Sequence, residues 1–165
     1  MSISLVHAEH CQYVENLFQY YLYDMSEYMG WPPDKDGTYK IVKSLTDLAE
    51  YWSKPEHYPY LIMVDNEVAG FSLVRRYPGS TDTFDIGQFF VLRKFKGAGV
   101  GRSAFNMTVA MQPGKWVTRV LAGNQGAYAF WEKVISEVAV EEPTVKRELY
   151  RATDMHFFYY EVRPC

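Results

Sequence analysis

The stretch Lys96-Gly97-Ala98-Gly99-Val100-Gly101-Arg102 decides how the rest of this chain is read. It follows the apolar run Phe89-Phe90-Val91-Leu92 and precedes Ser103-Ala104-Phe105-Asn106-Met107, which reads as a helix. A strand, alternate glycines and a helix make a cradle for phosphate. Glycine lets backbone N–H groups approach an anion closely, and a helix N-terminus favours negative charge. Lys94, Lys96 and Arg102 add positive charge around it. Taken alone, such a run is equally a plain tight turn.

Spacing removes two familiar phosphate motifs. A P-loop ends in Gly-Lys-Ser/Thr, whereas Gly101 is followed by Arg102-Ser103. A dinucleotide fingerprint needs G-x-G-x-x-G and an acidic residue about 20 positions on. Here the spacing is G-x-G-x-G, and Trp116-Val117-Thr118 carries no acid.

Working outward, helices and strands mix throughout. Ile3 to Val6 suits a first strand. Val14, Leu17, Phe18, Tyr21, Leu22, Met25, Tyr28 and Met29 recur at helical spacing, and Gly30 with Pro32-Pro33 stops that helix. A loop covers Trp31 to Tyr39. A second helix is expected from about Leu45 to Trp52, capped by Ser44 or Thr46. Residues 60–64 and 68–74 flank Asp65-Asn66-Glu67 as a hairpin. In the strand Thr83 to Leu92, Phe84 and Ile86 share one parity, Phe89 and Val91 the other. Either a β-bulge at Gly87-Gln88 or burial on both faces explains the switch. After the glycine loop come a helix to about Met111, a strand Trp116 to Leu121 and a helix Ala127 to Ile135. Val138 to Val140, Lys146 to Tyr150 and Phe157 to Val162 offer closing strands.

The bulk numbers bound the reading. The 165 residues suit one domain, 1–165, with its own core, and no linker or repeat divides them. A net charge of −3 argues against a nucleic-acid binder. The two cysteines, Cys11 and Cys165, make no disulfide framework, so a reducing, cytoplasmic setting is expected. The N-terminus shows no signal peptide, and no apolar run is long enough to span a bilayer. His7 and His10 have helical metal-ligand spacing but straddle a strand–helix junction, so no metal is expected.

A second motif, Asn124-Gln125-Gly126-Ala127-Tyr128-Ala129-Phe130-Trp131-Glu132-Lys133, follows the next strand. Together the two resemble the GCN5-related N-acetyltransferase (GNAT) family. That family's central motif is Gln/Arg-x-x-Gly-x-Gly/Ala, here begun by Lys96, and its next is Asn-x-x-Ala-x-x-Phe-Tyr. Asn124, Ala127 and Phe130 match the latter, and Trp131 takes the Tyr place. The resemblance covers about Thr83 to Lys133. It implies an α/β (mixed α+β) fold: a central, mostly antiparallel sheet of six to seven strands flanked by about four helices.

It also implies acetyl-coenzyme A as co-substrate, with no metal. Backbone amides from Gly97 to Arg102 (through Ala98, Gly99, Val100 and Gly101, into Ser103) would hold the pyrophosphate. Val91 and Leu92 would pair with the pantetheine arm where two strands splay. Asn124 would hydrogen-bond that arm, and small Ala127 would let it approach, beside Phe130 and Trp131. Lys133 would reach the nucleotide phosphates or stay solvated.

The implied reaction is acetyl transfer to a primary amine of a small molecule or peptide by direct attack. The amine must lose a proton and the departing thiolate must gain one. Where the family often has a Glu base, this chain offers Asp85 and Gln88, the latter able to orient a water. Trp131 cannot titrate as the family's usual Tyr acid does, and Tyr128, three residues earlier, is a substitute. The acceptor should lie against the first helix and its loop, near Asp24, Glu27, Tyr28 and Trp31. Tyr21 and Tyr28 sit on the apolar stripe and read as core. The alternative function is a non-catalytic acyl-CoA-binding or sensory module. Neither nucleic acid nor membrane is expected as a partner, and the chain is a monomer or homodimer.

Overall fold

The computed structural model describes residues 1–40 and 48–164. Seven strands form one sheet in the order β1-β2-β3-β4-β5-β7-β6. They are β1 (Ile3–His7), β2 (His57–Val64), β3 (Glu67–Arg76), β4 (Thr83–Val91), β5 (Gly114–Leu121), β6 (Thr144–Tyr150) and β7 (Thr153–Val162). The helices of the described residues are α1 (Cys11–Met29), α2 (Glu50–Ser53), α3 (Val100–Ala110) and α4 (Gln125–Val138). The expected start of α2 at Leu45 and its Ser44 or Thr46 cap lie outside the described residues. None of these helices is long and apolar enough to cross a membrane.

Local chemistry explains the boundaries. Helix α1 stops where Gly30 turns left-handed at φ 70° and its N–H closes onto the Ser26 carbonyl at 2.8 Å. The β2–β3 hairpin turns through Asp65 and Asn66, both at positive φ, the two-residue turn that matches strand twist. Glu67 belongs to β3 rather than to the turn. Val138 to Val140 is not a strand: α4 continues through Val138, and only Ala139 bridges to Val162.

Helices α1 and α2 cover one face of the sheet. Val14, Phe18 and Leu22 of α1 and Tyr51 of α2 pack with Phe71, Leu73 and Phe90. Helices α3 and α4 cover the other face, where Phe105, Val109, Trp131 and Ile135 pack with Phe84, Ile86, Trp116 and Phe158. Burial of this apolar surface is the main stabilising term on both faces.

The parity switch in β4 is a bulge. Leu73 faces Gln88 and Val74 faces Ile86, which leaves Gly87 without a register partner on β3. The extra residue keeps Phe84, Ile86 and Phe89 on the α3–α4 face and puts Asp85, Gln88 and Phe90 on the α1 face. A Cβ at Gly87 would lie 1.9 Å from the Tyr51 hydroxyl oxygen, so any larger residue there would have to displace that ring.

Candidate active site

Strands β4 and β5 are the parallel neighbours of this sheet, and they pair only at Thr83–Lys115, Phe84–Trp116 and Asp85–Val117. Beyond that row they part, leaving backbone edges of both strands without each other. A cavity of about 1140 Å³ occupies the gap and is lined from both faces of the sheet. An extended, amide-bearing chain entering it would meet a ready strand edge.

At one end of the cavity lies the glycine loop. Gly97 (φ 80°) and Gly99 (φ 79°) take the left-handed conformation that other residues resist. Gly99 caps α3, whose first-turn amides have no intrahelical acceptor and whose dipole is positive at this end. Lys96, Gly97, Gly99, Val100, Gly101 and Arg102 line the cavity, whereas Ala98 and Ser103 do not. The Ser103 N–H is spent on the Gly99 carbonyl at 3.0 Å. Arg102 pairs with Glu137 at 2.8 Å and Lys94 with Glu67 at 2.5 Å, both near the surface. Lys133 lines the cavity from α4.

The middle of the cavity is formed by Val91, Asn124, Ala127, Phe130 and Trp131. Leu92 is elsewhere: its N–H donates to the Ala69 carbonyl at 2.8 Å, and its side chain packs under α1. Asn124 Oδ1 accepts the Ala127 N–H at 3.0 Å, so it caps α4 and leaves its amide NH2 as the donor on offer. Tyr128 does not line the cavity; its ring packs on His156 at 4.8 Å and on Phe158. His7 ends β1 and His10 caps α1. Among the described residues no cluster of His, Cys, Asp or Glu is arranged to hold a metal ion.

Asp24, Glu27, Tyr28 and Trp31 all line the cavity from α1 and its following loop. Tyr28 is not core; it is 44% exposed, whereas Tyr21 is half-buried against Phe18, Phe71 and Phe90, with its hydroxyl pushed up to about 12 by desolvation. Asp24 is engaged by Arg93 at 2.7 Å and lies 3.9 Å from Lys96, which ties α1 to the glycine loop.

The far end of the cavity holds a charge cluster that sequence reading missed, apart from Asp85. Arg75 of β3 stands opposite Asp85 of β4 in the register, and Arg119 of β5 lies one pleat beyond. Asp85 Oδ2 accepts from Arg75 Nε at 3.1 Å and from Arg119 Nη2 at 2.9 Å. Asp85 is wholly buried and does not line the cavity; both arginines do, with side chains 15% and 9% exposed. Arg75 Nη2 also donates to the Tyr150 hydroxyl at 3.2 Å, and the Arg119 guanidinium stacks on the Tyr150 ring at 4.0 Å. Burial opposes the charge on Arg75, yet Tyr51, Asp85 and Tyr150 outweigh it and hold its pKa above the ordinary value. Burial likewise raises the Tyr150 hydroxyl, but Arg119 and Arg75 outweigh it, so Tyr150 ionises below the usual tyrosine range. Tyr51, buried beside Gly87, is pushed up by desolvation. The one signal in the sequence was an arginine inside the apolar strand Trp116-Val117-Thr118-Arg119-Val120-Leu121.

The fold has known counterparts. The family model for the Acetyltransferase (GNAT) family matches residues 18–135. Among solved structures, an acetyltransferase from Thermus thermophilus superposes with a TM-score of 0.68 at 14% identity, over 98% of this chain and 98% of that one. A spermidine N-acetyltransferase from Vibrio cholerae, in complex with CoA and spermine, gives 0.66 at 15% identity, over 97% and 95%. A Salmonella typhimurium acetyl transferase that modifies the N-terminal serine of ribosomal protein L7/L12 gives 0.65 at 16%, over 99% and 96%. At these identities the likeness is one of fold. No curated protein matches the sequence. The match of the family model over well more than half the chain, on a sheet that splays beside a glycine-capped helix, identifies this protein as a member of the GNAT acetyltransferase family.

Proposed function

We propose that this protein transfers the acetyl group of acetyl-CoA to a primary amine of a small molecule or a peptide. The observation that carries the reading is the continuity of one cavity from the glycine-loop amides, through the β4–β5 gap, to a polar end lined by Gln88, Tyr150 and the arginines. The first-turn amides of α3, with Lys96 and Arg102, suit a pyrophosphate. The open edges of Val91 and β5, and the Asn124 amide, suit the pantetheine arm.

Bound acetyl-CoA supplies the activated acyl group. Gln88, brought to the α1 face by the bulge, orients a water that takes the amine proton. Asp85 is unsuited to that task, since it lies behind two guanidinium groups and outside the cavity; it positions Arg75 and Arg119 instead. The new N–C bond forms as the C–S bond breaks, and the departing thiolate takes a proton. Tyr150 is the donor best placed for this, being a cavity-lining phenol whose surroundings favour proton loss. Tyr128, packed on His156, is not. The products are an N-acetylated amine and free CoA.

The test is turnover of acetyl-CoA against a panel of amines, read as free thiol, beside thermal stabilisation by CoA and acetyl-CoA. Thiol release with a defined amine supports the reading. Stabilisation without release from any amine supports a non-catalytic binding module, and no stabilisation by either ligand defeats both.

A further inference from the structure

We infer that the acceptor is a small amine bearing its own carboxylate, and that Arg75 and Arg119 together bind that carboxylate. The inference rests on the transferase reading above and adds the substrate class.

Charge balance is the first argument. Two guanidinium groups share a single carboxylate, Asp85, so the end of the cavity keeps one surplus positive charge. Among the described residues no second carboxylate forms an ion pair with Arg75 or Arg119, and Glu27 lines the cavity from α1. Glu50 also lines the cavity, but Lys54 meets its carboxylate at 2.7 Å. Asp24 is held by Arg93 at the other end. Arg151, over the Tyr150 ring at 5.3 Å, adds to the positive side. The surplus on the two buried arginines matches a monoanion, and exposed Arg151 adds only a screened charge.

Cost is the second. Moving an ion from water into a protein interior costs several kcal/mol even after relaxation, and well-packed apolar residues commonly replace such triads without loss. Apolar residues fill the adjacent positions: Val74 beside Arg75, Ile86 beside Asp85 and Val120 beside Arg119. A role confined to packing would be served at lower cost by the same residue types. The triad is also unfinished: among the described residues nothing hydrogen-bonds the buried Arg119 Nε or Asp85 Oδ1.

Geometry is the third. A guanidinium offers a planar fork of donors that matches a carboxylate. Arg119 is fixed by Asp85 beneath and Tyr150 against its face, Arg75 by Asp85 and the Tyr150 hydroxyl. Both are therefore held in place before a ligand arrives, which lowers the entropy cost of binding. Tyr51 and Tyr150 wall the same end, while Glu27 and Gln88 line the cavity where an ammonium or amine can lie.

Matched pairs of amines test this: L-phenylalanine against phenethylamine, L-leucine against 3-methylbutylamine, L-methionine against 3-(methylthio)propylamine, with spermidine as a carboxylate-free polycation. The expected result is kcat/KM at least tenfold higher for the carboxylate member of one or more pairs. Equal or better turnover of the carboxylate-free amines overturns the inference while leaving the transferase reading intact. If no amine releases thiol, thermal shift of the CoA complex with the same pairs decides. Stabilisation by the acids alone supports the carboxylate site and removes the transferase; no discrimination overturns the site. Arg75→Gln removes the surplus charge yet leaves Asp85 paired with Arg119. It should raise KM for the acid about tenfold or more and erase the preference, with KM for the plain amine little changed; an unchanged preference counts against the site. If that variant fails to fold, Arg119→Lys serves, keeping charge but losing the fork, with the same KM split expected.

Discussion

The two ends of the cavity are built on opposite principles. The end proposed for the donor is made of backbone: left-handed Gly97 and Gly99 and the first-turn amides of α3, with exposed cations around them. The end proposed for the acceptor is made of side chains: Arg75, Asp85, Arg119 and Tyr150, brought together from four strands and largely buried. A backbone cradle is encoded in a few consecutive residues and needs only that they take their turn. A buried charge cluster exists only once the sheet order is set.

This difference can be broken in several places. The largest effect is expected from Asp85→Ala, which leaves Arg75 and Arg119 facing one another without a counterion. Breaking such a buried set by removing one partner costs about 3–5 kcal/mol. Urea denaturation should show the loss, and CoA affinity measured on the folded fraction should be unchanged. A small loss of stability would mean that solvent already compensates the arginines.

Next is Tyr150→Phe. Losing a positioned acid should lower kcat on the order of a hundredfold. The sign of the pH dependence follows from its depressed pKa: the hydroxyl donates only while protonated, so activity falls as pH rises through a value below the usual ~10. That alkaline limb should vanish in Tyr150→Phe, leaving the acidic limb set by the amine. A limb that persists assigns the acid elsewhere.

Gly87→Ala should cost about 1–3 kcal/mol by overpacking, because its Cβ meets the Tyr51 hydroxyl oxygen at 1.9 Å. Adding Tyr51→Phe should recover part of the lost melting temperature; no recovery would put the strain in the backbone instead.

The smallest effect belongs to the donor end. Arg102→Glu should weaken CoA binding about tenfold, shrinking with added salt because the position is exposed. Unchanged affinity in calorimetry would remove Arg102 from the cradle, though not the amides.

What was legible in the sequence follows the same division. The glycine run and the Asn124–Phe130 motif are local, and the structure sets both beside one cavity. The splay follows from the short β4–β5 pairing, which no local signal reports. The hydrophobic pattern of β4 was visible as a parity switch, but only the register with β3 separates a bulge from burial on both faces. Tyr128 looked equivalent to the position of Trp131 because residues three apart share a helix side. The helix turns Trp131 toward the cavity and Tyr128 toward His156 and Phe158 of β7. Arg75 and Arg119 went unnoticed because each, read alone, is one charged residue in a strand; their meaning comes from sharing Asp85.

The extra residue in β4 gives the strand two phases. Upstream of Gly87, odd-numbered Asp85 faces α1; downstream, even-numbered Gln88 and Phe90 do. The apolar seam beneath α3 and α4 runs unbroken across the change. The side chain at Gln88 can therefore change without touching the residues that pack under α3 and α4, whereas Asp85 is tied to its two arginines. Deleting Gly87 would remove the bulge and leave both faces as they are, since Ile86 and Gln88 would then follow one another in plain alternation.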